Sequence, residues 1–434
     1  MSVMFRSLAE RNYRIWFAGS LASNIGTWMQ RTAQSWIVLT ELTDHDATAL
    51  GVVMALQFGP QLVLAPFAGV LADRIPKRRL LALTQVLLGL LALGLGWMVT
   101  AGVAELWHVY AFALGLGVVA ALDAPARQAF VSELVPPELL SNAIALNSTS
   151  FNGARLLGPA VAGLLTVALG AGPVILLNAA TFLLQILALI AMRESEMIAA
   201  PRAPRARGQL REGIAYVAGR PDIISVLVAV FLLGTFGFNF PVFLGTMATD
   251  EFHRDADGFG LLNSILAIGS LGGALMSARR ERARFRVLLT SSVLFGIAML
   301  VSSVAPDFWT YAIANIAVGF FALTAMNTAN ALVQGSVDPA VRGRVMSLYM
   351  AIFLGGTPVG APLLGWIVEA IGPRGTIAVA GGFGILAGLL AFLILRRAGI
   401  FAWRDAATMW GPKGPPTGVI DLSDIPDPRT EEPN

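Results

Sequence analysis

A chain of 434 residues that is 56% hydrophobic and only 13% charged is too poor in charge for an ordinary soluble domain, where about 25% of residues carry one. The absence of cysteine excludes disulfide frameworks, thiolate metal sites and thiol nucleophiles, and the only histidines, His45, His108 and His253, lie too far apart in sequence to suggest a metal cluster. The net charge of +3 does not point to nucleic acid, because the basic residues sit in short loops between apolar runs.

In chain order, Arg11 and Arg14 lead straight into a long segment containing polar residues, so no removable signal peptide is expected. Apolar runs long enough to cross a bilayer, about 20 residues each, fall at 15–40, 49–72, 79–101, 107–132, 140–169 and 173–192. Six more follow at 223–248, 258–278, 286–304, 308–334, 345–370 and 375–396. Stretches such as Leu80 to Met98 are apolar on every face, which fits helices rather than the alternating strands of a barrel. The 45 glycines read as close helix packing, since small residues let membrane helices approach.

Most of the 30 Lys and Arg collect in the loops of one side, and the opposite loops hold only Arg254 and Arg374 beside Asp44, Asp46, Glu105, Asp255, Asp257 and Asp307. Positive charge marks the cytoplasmic side, so both termini are expected there, which requires an even number of spans. The connection at 194–222 carries Pro201, Pro204 and several arginines, then an amphipathic stretch with Leu210, Ile214, Tyr216 and Val217. It reads as a cytoplasmic linker with an interfacial helix, separating an N-terminal six-helix bundle (1–193) from a C-terminal one (223–397). The proline-rich tail, 398–434, is expected to be disordered. The halves also match each other: Gly153, Gly158 and Gly163 fall on Gly355, Gly360 and Gly365, and Pro137 on Pro339 at the same offset. Internal duplication explains this better than two unrelated glycine-rich helices.

Charges inside helices need a partner or a task. On the first helix Asn24, Thr27, Arg31 and Gln34 follow i, i+3, i+7, i+10 and share one face, expected to line a water-filled cavity. Helix four carries Asp123 and Arg127 one turn apart, with Asp123 about 15 Å along the axis from Glu133 at 1.5 Å per residue. Helix five contributes Arg155, with Asn147 and Asn152 nearby. Asp123 has two readings. It forms a permanent ion pair with Arg127 or Arg155, or it titrates as burial and a neighbouring arginine pull its pKa in opposite directions. Arg31 and Arg155 offer positive potential to an anionic or hydrogen-bonding substrate. The phenylalanine run Phe236, Phe238, Phe240 and Phe243 reads as lipid-facing or packing surface before a binding wall.

The segment GVLADRIPKRR, Gly69 to Arg79, resembles the loop signature GxLADRxGRR of the major facilitator superfamily, with Pro76 in place of its second glycine. The stretches RNYRIWFAGSLASNIGTWMQRTAQSW, LDAPARQAF, SELVPPELLSNAIALNS, FNGARLLGPAVAGLL and LREGIAYVAGRPDI are similar to the subgroup that includes the enterobactin exporter and macrolide efflux proteins. The resemblance implies an all-α membrane protein of twelve transmembrane helices in two pseudo-symmetric six-helix bundles, built as parallel repeats. It implies a conformational-switch loop formed by Gly69, Asp73, Arg74, Lys77 and Arg78, with Glu133 the expected partner of Lys77 or Arg78. Gly153, Gly158, Pro159 and Gly163 approximate the antiporter motif, one residue off its strict spacing, while Ala111 and Phe112 stand where the family's fourth-helix arginine does.

The expected function is secondary active export, by proton antiport and alternating access, of small amphipathic molecules such as drugs, macrolides or siderophores. An importer or lipid flippase of the same fold is the alternative. A membrane-embedded enzyme is disfavoured, because the chain offers no His/Asp cluster or active-site serine motif. No cofactor is expected, and no GxxxxGK[ST] loop points to a nucleotide. The expected partners are a small-molecule substrate, protons and membrane lipid, the expected state a monomer, and the expected location a bacterial cytoplasmic membrane.

Overall fold

The computed structural model describes residues 3–198, 209–280, 283–338 and 341–400. Pro339, much of the central linker and the tail from 401 lie outside the described residues. Among those described there are helices and no strands: α1 (Arg11–Thr40), α2 (Ala47–Arg74), α3 (Lys77–Thr100), α4 (Leu106–Phe130), α5 (Pro137–Leu169), α6 (Ala171–Ala191), α7 (Gln209–Ala218), α8 (Pro221–Leu232), α9 (Phe240–Thr246), α10 (Ala256–Ala278), α11 (Phe285–Ser303), α12 (Phe308–Ser336) and α13 (Arg342–Arg397).

Among the described residues ten segments are long and apolar enough to cross a membrane. One is the 56-residue α13, bent where Gly372 takes a φ of 76° ahead of Pro373, a left-handed conformation that glycine adopts without Cβ strain. It therefore supplies two crossing arms. A further crossing element, α1, is 30 residues long but too polar to qualify. The reason lies in its packing. Asn12, Ser20, Ser23, Gln30, Gln34 and Ser35 are all buried, and several meet partners on neighbouring helices. Asn178 donates to Gln30 at 2.6 Å, Gln57 to Gln34 at 3.2 Å, and the Tyr13 hydroxyl to the Ala143 carbonyl at 2.8 Å. A helix packed on protein need not be apolar, because its polar groups are satisfied internally. With α1 and both arms of α13, the described residues offer twelve arms of membrane length.

The acidic loops of one end act as helix caps. Asp307 accepts from the backbone of Trp309 and Thr310, the Asp46 carboxylate from Ala49, and Glu105 forms a reciprocal capping box with His108. The Thr310 hydroxyl and backbone bonds hold the Asp307 carboxyl below its usual range. Carboxylates placed at the positive ends of α2, α4 and α12 satisfy otherwise orphaned N–H groups, which is a local reason for the acidity of these loops.

At the opposite, basic end Lys77 pairs with Glu133 at 2.6 Å. Arg78 donates to the carbonyls of Leu189, Ile190 and Met192 at the end of α6. Gly69, Asp73 and Arg74 fall in the last turns of α2, and beyond that helical backbone they lie outside the described residues. The short α7 buries Val217 and packs Tyr216 against the α8–α13 core, while Ile214 stays exposed.

The span from Pro221 to Glu251 is not one continuous helix. After α8 it passes through a wide turn at Leu233–Gly237 that closes i to i+5, leaves helix at Phe238 and Asn239, resumes as α9 and widens again at Met247–Glu251. Pro241 in the first turn of α9 lacks an N–H, and Asn239 donates its side-chain amide to the freed Thr235 carbonyl at 2.7 Å.

The repeat is visible in the contacts its glycines make. A Cβ on Gly158 would stand 2.5 Å from the Trp28 Cβ on α1, and one on Gly360 would overlap the Thr235 carbonyl oxygen. Gly163 meets Gly260 of α10 across the molecule, and Gly365 meets Ala47 of α2 in the reciprocal place. Each glycine helix thus packs first on the opening span of its own half and then on the second helix of the other.

Candidate functional site

The contacts joining the two halves gather toward the acidic end. There α2 lies along α13, with Gly51 against Ala361 and Pro362 and Gly365 against Ala47 and Thr48. Trp36 stacks on Phe259 with ring centroids 6.0 Å apart, His45 pairs with Asp250 at 2.7 Å, and the Thr48 N–H reaches Glu369 at 3.4 Å. The buried cluster around Met29, Leu39 and Leu50 takes in Val242, Ala361 and Val368 from the other half. At the basic end the cluster of Tyr13, Trp16, Leu80 and Phe130 contains residues of the first half only. Among the described residues the halves are joined by a shared core at the acidic end and not at the basic end.

Between these ends the walls carry charge. The small face of Gly158 lets α5 approach α1 at Trp28, and this brings two guanidinium groups onto one indole: Arg31 at 5.1 Å and Arg155 at 5.5 Å from the ring centroid. Arg31 also lies 4.7 Å from the Phe58 ring, and Phe151 meets Trp28 edge-on at 6.0 Å. Among the described residues neither arginine makes an ion pair. The Arg31 Nε and the Asn147 Oδ1 are buried without hydrogen-bond partners. Asn24 is half-buried on the same wall and donates to Ser150 at 3.4 Å.

Of the four-residue stripe, Thr27 spends its hydroxyl on the Ser23 carbonyl, and Gln34 is fully buried between Gln57 and the Val109 carbonyl. Asn24 and Arg31 therefore share the wall with Arg155, and Gln34 faces α2 and α4. The side chain of Asn152 lies outside the described residues. Gly153 has open space around it, so the four glycine-motif positions serve different ends: Gly158 and Pro159 are buried, Gly163 forms the seam and Gly153 is free.

The carboxylate site is separate. Asp123 is buried, with Arg127 Nε donating to its Oδ2 at 2.9 Å and Thr84 Oγ1 and Gln85 Nε2 donating to its Oδ1 at 2.7 and 2.8 Å. Arg127 also reaches Ser20 at 3.4 Å and lies over Trp16. Of the two arginines considered for Asp123, the structure supplies Arg127, while Arg155 belongs with Arg31. A polar pair inside the otherwise apolar α3 was a readable signal for Thr84 and Gln85; Trp28, three residues before Arg31, was readable as a same-face neighbour. Phe58 gave no signal.

The phenylalanine run of the broken span is internal packing. Phe236 stacks on Phe383 at 3.8 Å, and Phe238 meets Phe295 and Phe353 edge-on. Asn239 Oδ1 and Thr235 Oγ1 are buried there without partners. No group of three or more potential metal-ligating residues occurs among the described residues.

Comparison with known proteins agrees with this architecture. The chain is similar to the staphyloferrin A transporter of Staphylococcus aureus (25% identical, covering 85% of this chain and 92% of that protein). It is similar to the multidrug efflux pump Tap of Mycolicibacterium fortuitum (25%, covering 87% and 94%) and to the enterobactin exporter EntS of Shigella flexneri (25%, covering 82% and 86%). Among solved structures, a bacterial homologue of the lysosomal transporter Spinster superposes with a TM-score of 0.69 (15% identical, covering 89% and 98%). A POT family transporter superposes with 0.74 (12% identical, covering 89% and 96%). The model of the family described as transmembrane secretion effector matches residues 2–409, and the chain is a multi-pass membrane transporter of that family within the major facilitator superfamily.

Proposed function

We propose that this protein is a secondary active exporter that moves small amphipathic molecules against protons by alternating access. The observation that carries the reading is the asymmetry of the seams: among the described residues the halves share a buried core and the His45–Asp250 pair at the acidic end and no such contact at the basic end. With the basic end in the cytoplasm, as loop charge favours, the described state is open toward the cytoplasm, the loading state of an exporter. The bundles 1–193 and 223–397 are then the rocking bodies, and α7 tethers the linker to the second of them. Relatives named as a siderophore transporter, a siderophore exporter and a drug efflux pump support this direction and cargo size.

Proton coupling is assigned to the Asp123–Arg127 pair. In the described state Arg127, Thr84 and Gln85 all donate to the carboxylate. Arg127 also touches Ser20 and Trp16 of α1, so a shift of α4 against α1 would disturb its pair with Asp123.

The test uses purified protein in liposomes with an imposed pH gradient, following two xanthene dyes of opposite charge, fluorescein and rhodamine 6G, together with an internal pH probe. Wild type is expected to couple dye movement to proton counterflow. Asp123→Asn is expected to abolish uphill movement and keep energy-independent exchange. Unchanged uphill transport in that variant would remove Asp123 from the coupling path.

A further inference from the structure

Two guanidinium groups on one indole at membrane depth are a liability unless something answers their charge. Charged side chains in a membrane protein's interior normally pair with one another or with a carboxylate. Arg31 and Arg155 repel each other, and neither has an ion-pair partner among the described residues. The deep carboxylate cannot serve both sites, since Asp123 is engaged by Arg127, Thr84 and Gln85. The aromatic contacts lower the cost of each cation but do not neutralise it.

The manner of contact matters as much as the charge. A guanidinium lying over an aromatic ring uses its face and leaves its fork of N–H donors available for a planar anion. The Arg31 Nε is buried without an acceptor, as would be expected of a donor waiting for one. Trp28 supplies flat apolar surface to both guanidiniums, Phe58 extends it beside Arg31, and Phe151 packs edge-on against Trp28.

We propose that Arg31 and Arg155, arranged around Trp28, form the binding site for an organic anion: a carboxylate, sulfonate or phosphate group held by the paired guanidiniums, attached to a flat apolar body resting on the aromatic side chains. This deepens the exporter reading by naming the charge class of its cargo, and it rests on that reading for the chamber being the cargo site. Anionic character selects against cationic dyes, because a like charge here would meet two arginines. The same group on a lipid headgroup would satisfy the site, so the test separates free anions from lipid.

The experiment is equilibrium binding to the purified full-length protein in phosphatidylcholine nanodiscs, using fluorescein and rhodamine 6G, two xanthenes of similar size and opposite charge. Wild type is expected to bind fluorescein and not to lose it to rhodamine 6G. Arg31→Gln and Arg155→Gln are each expected to weaken fluorescein by about 30-fold or more, as loss of one partner of a buried charge contact does. Arg31→Lys and Arg155→Lys should retain part of the affinity. Removal of either charge should raise the melting temperature of the unliganded protein, because a repulsion is relieved. Added phosphatidylglycerol that competes with fluorescein in wild type would assign the site to a lipid headgroup as well; no competition would restrict it to free anions.

Fluorescein binding unaltered by either glutamine, rhodamine 6G held as tightly and weakened by the same changes, or a fall in melting temperature in both variants would each overturn the proposal. Gradient-driven movement of rhodamine 6G without arginine-dependent fluorescein binding would leave the exporter and remove the anion site. Arginine-dependent binding with no gradient-driven movement of either dye would do the reverse.

Discussion

The opening spans of the two halves occupy equivalent places under the internal repeat, yet they solve the same task with different chemistry. In the first half α1 is unbroken and polar, with buried Gln30 and Gln34 facing neighbours and Arg31 against Trp28 and Phe58. In the second half the span from Pro221 to Glu251 is apolar, and its irregularity is in the backbone: two wide turns, an interruption at Phe238 and Asn239, and a carbonyl satisfied by an asparagine. The partner helices press on both at a glycine, Gly158 on α1 and Gly360 on Thr235 in the first wide turn. A duplicated scaffold has kept its packing points and diverged in what it presents between them. One half supplies fixed charge, the other a deformable backbone.

Substitution at the two glycines should have the largest effect. Gly360→Val places a Cβ within bonding range of the Thr235 carbonyl, and no side chain can yield to make room. Loss of monodisperse protein after extraction is expected. Gly158→Val meets the Trp28 Cβ at 2.5 Å, so α5 must move off α1 and carry Arg155 away from the indole. This variant should assemble at reduced yield and lose fluorescein affinity. If the two behave alike in both yield and binding, the halves are less differentiated than their contacts indicate.

Asn239→Ala probes whether the interruption is held by its own side chain. It deletes the donor to the Thr235 carbonyl, and a buried group left unsatisfied costs about 1–3 kcal/mol, read as a lower melting temperature. No change in stability would mean that the break is imposed by packing on α13 alone. Smaller still is Asp250→Asn, which weakens the half-exposed pair with His45. Such pairs contribute about 1 kcal/mol or less, so stability should hardly change while accessibility labelling at the acidic end rises. The smallest effect is expected of Gly153→Ala, which enters open space and gains roughly 1 kcal/mol of helix propensity. A strong loss of transport there would show that α5 closes on another surface during the cycle.

Much of this was legible from sequence because membrane spans obey local rules. Run lengths located the spans, and a shared offset located the repeat, since glycines that let helices touch recur at the same depth. The four-residue spacing of Asp123 and Arg127 made a mutual contact readable. What escaped was tertiary in origin. The convergence of Arg31 and Arg155 on Trp28 depends on how closely Gly158 lets two helices approach. The Asp123 site depends on what α3 meets: Thr84 and Gln85 stand out as a polar pair in that helix, but their positions do not name Asp123 as the group they bond. The interruption at Asn239 was masked by its apolar surroundings, where hydropathy reads straight through a break, and Gln34 left the chamber stripe because helical spacing fixes a face but not the neighbour it meets.

The seams at the acidic end are built of backbone lying on backbone: Gly51 on Ala361, Gly365 on Ala47, Gly163 on Gly260. At these points there are no interlocked side chains to withdraw, and the Trp36–Phe259 stack and the His45–Asp250 pair are the side-chain contacts that must part beside them. The glycine seams behave like two polished plates, for which separation is a gradual peeling whose resistance grows with the length still in contact, and re-closure needs no search for register. The resting balance between the two ends is then set by how much flat surface touches at each, so lengthening or roughening a single plate by one methyl group would tilt the whole cycle.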